Sequence, residues 1–289
     1  HIMVPSFAGA TLALDSSLTL RYETNRIFPD TPTVRFIMDG KTVTVEGTLN
    51  QDGNSYSFVY DDISPQHIGC NIRAELYVGD NLIDVKDGYS VNAYCRNLLQ
   101  DNTINEKLKA LLCDVLEYGA AAQTYTGHKT NALVNRNITG QSAFAPLTDE
   151  EAAEHRMVSD PVGDYQFLSA SLNLSSQTRI RFKFKAAGDF DLDLKINGES
   201  VKVSEENIVP LGNGTYLLYT DPIDAAHFDD IYEVTLSVGG VPQQTVTYSV
   251  RAYVYMMQNQ MQGETLSPIA RLVRAAYCYG LSAKAFAAA

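Results

Sequence analysis

Hydrophobic and polar residues alternate with a period of two along much of this chain. Leu18, Leu20 and Tyr22 are separated by Thr19 and Arg21, the pattern of a strand with one buried face. Ile180, Phe182 and Phe184 alternate more sharply with Arg179, Arg181, Lys183 and Lys185. The same alternation recurs at Ile72, Ala74, Leu76 and Val78, and at Tyr232, Val234, Leu236 and Val238. Asp39-Gly40 and Asn197-Gly198 stand between such runs and predict hairpin turns, because both turn positions favour φ > 0. About seven short strands are expected in each half, which suggests two packed sheets of an Ig-like sandwich.

Each half then changes to a helical period. A short helix is predicted after Val91, then a longer one with Leu108, Leu111, Leu112, Val115, Leu116, Gly119 and Ala122 along one stripe. Thr103 and Glu106 have the spacing of a capping box. In the second half Ser267 and Pro268 supply a cap and a first-turn proline, and Ile269, Leu272, Val273, Ala276, Tyr277 and Gly280 repeat the stripe.

The halves are copies of one pattern. Shifting the chain by about 160 residues sets Tyr56 on Tyr216, Asp61 on Asp221, Ile63 on Ile223 and His67 on His227. Tyr89-Ser90-Val91 falls on Tyr248-Ser249-Val250, and Tyr118-Gly119 on Tyr279-Gly280. The expected fold class is mainly β with α: two tandem Ig-like β-sandwich modules, each followed by a short and a long C-terminal helix. The expected boundaries are 1–127 and 163–289. Between them, 128–162 reads as a linker in which Thr148-Asp149-Glu150-Glu151 starts a short acidic helix.

A length of 289 residues suits two domains. The net charge of −12 opposes nucleic acid or an anionic membrane surface as a partner, and no apolar run is long enough for membrane insertion. Cys70, Cys95, Cys113 and Cys278 show no metal-finger spacing and are expected as buried free thiols. His1-Ile2-Met3 reads as a cloning remnant, so a leader peptide is expected to have been removed.

Little in the sequence points to catalysis. His67 and His227 occur in both copies, and Asp61/Asp221 is the acid kept near them, but no nucleophile accompanies the pair. Both are expected to fix a loop. Asp61, Asp62 and Glu75 could supply a glycosidase pair, but nothing sets them apart from solvated surface acids. Asp189, Asp191 and Asp193 share one face of a strand. If that strand forms a hairpin with the preceding one through Ala186-Ala187-Gly188, the acids meet Arg179, Arg181, Lys183 and Lys185 in cross-strand pairs; calcium binding is the other reading. No catalytic residue, metal or cofactor is expected, and the chain is not expected to be an enzyme.

The chain has 17 tyrosines and no tryptophan. Most tyrosines fall on repeated or inward positions. Leu217 and Tyr219 are expected to point outward where the first copy has Ser57 and Val59, and Tyr77 where the second has Ser237. These three are the candidate ligand-binding residues, contact between modules being the alternative.

Tyr89-Ser90-Val91 with Tyr94, and Tyr118-Gly119-Ala120-Ala121-Ala122-Gln123 ending the long helix, resemble modules of large secreted proteins of ruminococci and related Clostridia. The resemblance carries no catalytic or binding residue over to this chain, and the second copy departs from it at Gly280-Leu281-Ser282-Ala283-Lys284. It implies an extracellular or cell-surface setting within a multi-modular, cellulosome-type protein. The expected function is a non-catalytic binding or adhesion module whose partner is a glycan, a cell-surface protein or other modules of the same polypeptide. A divergent carbohydrate-binding module and a passive spacer are the alternatives.

Overall fold

The computed structural model describes the chain except residues 1–5, 15–17, 146 and 262–265, and the side chains of 259–261. Two units divide between Ser142 and Ala143. In the first unit β1 (Phe7–Ala13), β2 (Thr19–Thr24), β6 (Tyr56–Tyr60) and β5 (Thr48–Leu49) form one sheet in the order β1-β2-β6-β5. The other, β4-β3-β7-β8, contains β3 (Thr33–Met38), β4 (Lys41–Glu46), β7 (Ile72–Val78) and β8 (Asn81–Tyr89). Every pairing is antiparallel.

The second unit repeats this order. Its strands are β9 (Gln166–Leu174), β10 (Thr178–Lys185), β11 (Asp191–Ile196), β12 (Glu199–Val201), β13 (Ile208–Gly212), β14 (Thr215–Tyr219), β15 (Tyr232–Val238) and β16 (Val241–Tyr248). They form β13-β14-β10-β9 and β12-β11-β15-β16. In immunoglobulin lettering each unit is A-B-E-D against C′-C-F-G, an Ig-like β-sandwich. The described residues carry eight strands per unit, one more than the alternation predicted, because a short strand lies beside β6 in one unit and β14 in the other.

The inward rows are those the alternation marks. Leu20, Phe36, Phe58, Ile72 and Leu76 are fully buried in the first unit, and Ile180, Phe182, Phe184, Leu218 and Val234 in the second. Phe36 stacks on Tyr60 across the two sheets at 4.9 Å, and Phe182 meets Tyr248 edge-on at 6.4 Å.

In the first unit α1 (Val91–Leu99) and α2 (Glu106–Thr126) follow β8. The second unit has α3 (Asp149–His155) ahead of its strands, then α4 (Val250–Met261) and α5 (Pro268–Ala287) after β16. The predicted Thr103–Glu106 capping box does not form. Thr103 donates its hydroxyl to Asp101 at 2.6 Å, and Asn105 caps α2 by accepting from the Leu108 amide at 2.8 Å. Glu106 is therefore the first helical residue rather than the third. Asn105→Ala should cost about 1 kcal/mol and Thr103→Ala clearly less; thermal unfolding of the two variants checks this order.

Both long helices run close against a 3-10 turn. A Cβ on Gly119 would lie 2.9 Å from Ile68 Cδ1 and 3.3 Å from the carbonyl of Pro65, beside the turn Pro65–His67. Gly280 has the same relation to the turn Ala225–His227. The repeated Tyr-Gly pair thus marks a helix–turn contact that has no room for a side chain.

The stretch read as a linker is shared between the units. Buried Gln123 accepts from the Val134 amide at 3.0 Å and donates to the Ala132 carbonyl at 3.3 Å. Arg96 donates to the carbonyls of Val134 and Arg136, each at 2.8 Å. Residues 128–142 therefore belong to the first unit's packing. On the other side, the predicted short acidic helix forms as α3, and Thr148 and Glu151 close a capping box at its start. The backbone at Met157, Ser159 and Val162 bonds to β16 at Thr247, Thr245 and Gln243, over 2.8 to 3.0 Å.

His155, the last residue of α3, is buried and lies with Nδ1 2.7 Å from Ser249 Oγ. Burial, then the Arg251 charge, holds its pKa below the usual histidine value, against the opposing pull of Asp229, Glu154 and Glu151. A folded-state value below the unfolded one means the unfolded chain binds the proton more readily. This contribution is therefore present above about pH 6.5 and is lost as the pH falls toward the folded value. Urea midpoints across this window should drop on acidification in the wild type, and less steeply in His155→Gln.

Candidate functional site

Leu217 and Tyr219 lie on the outer face of β14, as predicted: Leu218 between them is buried, and Tyr216 stacks on Phe184 at 5.4 Å. The register sets Leu217 between Lys183 of β10 and Val209 of β13, and Tyr219 beside Arg181. Val209 and Leu211 are exposed. Tyr77 lies in the first unit. Its hydroxyl donates to Glu75 at 3.0 Å, and the Arg35 guanidinium sits 4.5 Å from its ring centre.

The predicted pairing of β10 cations with Asp189, Asp191 and Asp193 fails. β11 pairs with β12 and β15 in the opposite sheet, while β10 pairs with β9 and β14. Ala186 is buried and donates its amide to the Gly214 carbonyl at 2.8 Å, which sends the chain across the sandwich instead of back along β10. Lys195 then takes Glu233 at 3.4 Å. On β10, Arg181 donates to Ser171 at 3.2 Å and Arg179 to Asn207 at 3.3 Å. Among the described residues the one carboxylate ion-paired with these four cations is Asp164, 4.0 Å from Lys185; Asp221 reaches Arg179 only through Asn207, which donates to it at 2.8 Å. The outer face of β13-β14-β10-β9 is thus cationic and partly apolar on an otherwise acidic chain.

A second constellation lies in the first unit, around a residue singled out for another reason. His67 does not meet Asp61. It ends the 3-10 turn lodged at Gly119, and its Nε2 lies 3.6 Å from Asp39 Oδ2. Asp39 occupies the predicted β3–β4 turn with φ 50°. Helix α2 ends at Gly127 in the left-handed region, and the next residue, His128, places Nε2 3.8 Å from the same Asp39 oxygen. The two imidazoles meet edge to face, 4.9 Å between centres. Cys70 Sγ is 3.6 Å from His128 Nε2. The Lys129 ammonium lies 3.3 Å from both Cys70 Sγ and Asp39 Oδ1.

The local charges follow from this packing. Burial alone would raise the Asp39 pKa, but the Lys129 hydrogen bond and charge, with His128 and His67, hold it below the usual carboxylate value. Burial, then the His128 charge, holds His67 below its usual value. Burial pushes the Cys70 thiol up against the lowering effect of Lys129. At neutral pH the group is an ionised carboxylate facing a neutral His67, with a protonated thiol at its edge.

The second unit resolves the same loop differently. Asn197 replaces Asp39, also at positive φ (51°), and its amide donates to Asp230 at 3.0 Å. His227 Nδ1 contacts the same Asp230 carboxylate at 3.1 Å. The sequence signal for the first unit's arrangement was the Asp39/Asn197 difference, combined with a histidine directly after the helix cap. Of the suggested glycosidase acids, Asp62 pairs with Lys41, and Glu75 with Arg73 and Tyr77.

No helix among the described residues is long and apolar enough to cross a membrane. No family model matches the chain, and no curated protein matches it. Solved structures similar to it include the titin domains Z1Z2 in complex with telethonin, at 12% identity, 92% of this chain, 100% of that one and a TM-score of 0.20. A chimeric titin Z1Z2-Z1Z2 tandem carrying a fibronectin peptide is similar at 11% identity, 85% of this chain, 97% of that one and a TM-score of 0.20. Likeness at this level carries no functional argument; the Ig-like assignment rests on the strand order.

Proposed function

We propose that this chain is a non-catalytic, extracellular binding module of a multi-modular bacterial surface or cellulosome-type protein, and that its second unit binds an acidic glycan. The observation that carries this reading is the outer face of β13-β14-β10-β9. There Tyr219 and Leu217 lie beside Arg181 and Lys183, with Val209 exposed next to them. A tyrosine ring covers the apolar C–H face of a sugar, and guanidinium and ammonium groups pair with uronate carboxylates. The corresponding face of the first unit is neutralised: Arg21 pairs with Glu23 at 3.1 Å, and Ser57 donates to Asn50 at 2.9 Å. That difference favours a spacer role for the first unit. The resemblance to secreted clostridial modules supports the setting.

The test is a pulldown and glycan-array screen with acidic and neutral polysaccharides. Binding to uronate-containing polymers is expected, weakening as salt is raised. Tyr219→Ala should lose roughly tenfold in affinity, about 1.4 kcal/mol, and Arg181→Ala should lose affinity together with part of the salt dependence. Absence of any polysaccharide binding, or equal binding by both variants, would overturn the assignment.

A further inference from the structure

We propose that Asp39, His67 and His128 form a binding site for zinc in the first unit. Two imidazoles and one carboxylate are a donor set suited to zinc rather than to calcium or magnesium, which prefer oxygen alone. The three candidate ligand atoms all lie within 4.8 Å of one another. The His67–Asp39 and His128–Asp39 separations of 3.6 and 3.8 Å are too long for hydrogen bonds. They are close to the spacing a shared ion imposes, since ligand atoms about 2.0–2.1 Å from zinc at the tetrahedral angle lie roughly 3.4 Å apart. The two carboxylate–imidazole separations need to close by only a few tenths of an ångström, and the two imidazole nitrogens, within 4.8 Å of each other, by up to about 1.4 Å against that tetrahedral spacing. Cys70 lies at the edge of the site, beside His128 and outside the group of mutually close ligand atoms; its side chain would have to turn inward for a thiolate, its proton released to solvent, to take the fourth position.

The second unit shows that the fold does not need this arrangement. With Asn197 in the turn, the equivalent loop is satisfied by hydrogen bonds of 2.9 to 3.1 Å among Asn197, Asp230, Ile231 and His227. In the first unit Asp39 completes no hydrogen bond with either imidazole and is held by Lys129 instead, at 3.3 Å. The cation now nearest Asp39 is the Lys129 ammonium, on a half-exposed side chain. Zinc would replace it as counter-charge, leaving Lys129 free to swing into water. The three ligands come from the β3–β4 turn, the 3-10 turn and the residue after the α2 cap, so the ion would clip the sandwich to its helix.

The site is independent of the glycan-binding face, and its test reads zinc directly. After treatment with chelator, with His1→Ala as the common background, the chain is titrated with zinc in a calorimeter, and with cobalt by visible absorption. One equivalent is expected, with d–d bands of tetrahedral intensity. A sulfur-to-cobalt charge-transfer band that disappears in Cys70→Ser identifies thiolate as the fourth ligand; without that band the fourth ligand is water, and the three-residue site stands. Asp39→Asn and His128→Ala should each weaken zinc at least tenfold, whereas Lys129→Ala should tighten it by removing a competing cation. Asp39→Asn keeps the fold falsifiably intact, because asparagine already serves this turn in the second unit; circular dichroism verifies each variant. No stoichiometric zinc binding by the folded chain, or binding unaltered in both ligand variants, would overturn the proposal.

Discussion

Gly280→Val is expected to destabilise the second unit by about 3 kcal/mol, the upper end of what overpacking a filled interior costs. A Cβ at this position would lie 2.6 Å from Phe228 Cδ2 and 3.1 Å from the Ala225 carbonyl oxygen. Phe228 is itself buried, so its ring has no open volume to turn into, and the carbonyl belongs to the backbone of the 3-10 turn. The turn would have to lift off α5. Gly119→Val in the first unit should cost less. There the nearest atoms, at 2.9 Å, are the terminal methyls of Ile68 and Val134, and the carbonyl stands off at 3.3 Å. Alanine sharpens the comparison, because it returns up to about 1 kcal/mol of helix propensity. That gain should offset part of the crowding at Gly119, where two terminal methyls have to shift, and fall further short at Gly280. With a Tm change of about 2–4 °C per kcal/mol for a domain of this size, Gly280→Val should unfold roughly 6 °C or more below the wild type. An unchanged Tm would mean that the helix–turn contact is loose in solution.

That contact was legible as a motif before it was legible as a structure. Tyr118-Gly119 and Tyr279-Gly280 recur at the same place in both halves, but the repeat alone does not say what approaches the glycine. The strands were legible for a simpler reason: with one face buried, alternation survives in the residues themselves, as at Ile180, Phe182 and Phe184. Sheet membership was not. Ala186-Ala187-Gly188 is equally compatible with a hairpin and with a crossing, and the outcome depends on β14, distant in sequence, pairing with β10. The α2 cap was misread because Asp101, two residues ahead, captures the Thr103 hydroxyl. The histidine cluster stayed hidden because its members come from three separated segments, and His128 lies in a stretch where the repeat pattern lapses. Outward Tyr219 and Leu217 were found by comparing the copies; the cations beside them were noticed, but their neighbours were misassigned with the sheet.

The same lapse concealed Asp114, where the second large effect is expected. Asp114 lies on α2 between Cys113 and Val115 and is 1% exposed. Its carboxylate accepts from the Gln141 amide at 2.6 Å, from the Ser142 amide at 3.2 Å and from the Ser142 hydroxyl. A Cβ on Gly140 would stand 3.1 Å from Asp114 Oδ1, so the backbone is drawn over the acid as far as a side-chain-free residue permits. Bonds to a charged acceptor contribute about 1.5–3 kcal/mol each. Gln141 is exposed and Ser142 partly so, and water recovers much of this once the segment detaches. Asp114→Ala should therefore cost about 3 kcal/mol in total rather than the sum of three bonds. Asp114→Asn keeps the shape but turns an NH2 group toward at least one of these donors, and should lose about half as much. Urea unfolding gives the stability, and limited proteolysis across residues 135–142 reports whether the segment has come away. If Asp114→Ala leaves the urea midpoint unmoved and the segment resists protease as before, residues 128–142 are held by the Gln123 and Arg96 contacts alone. If instead the segment becomes cleavable with little loss of stability, it is draped over α2 rather than built into it, and the first unit effectively ends near residue 127, where the hydrophobic pattern stops.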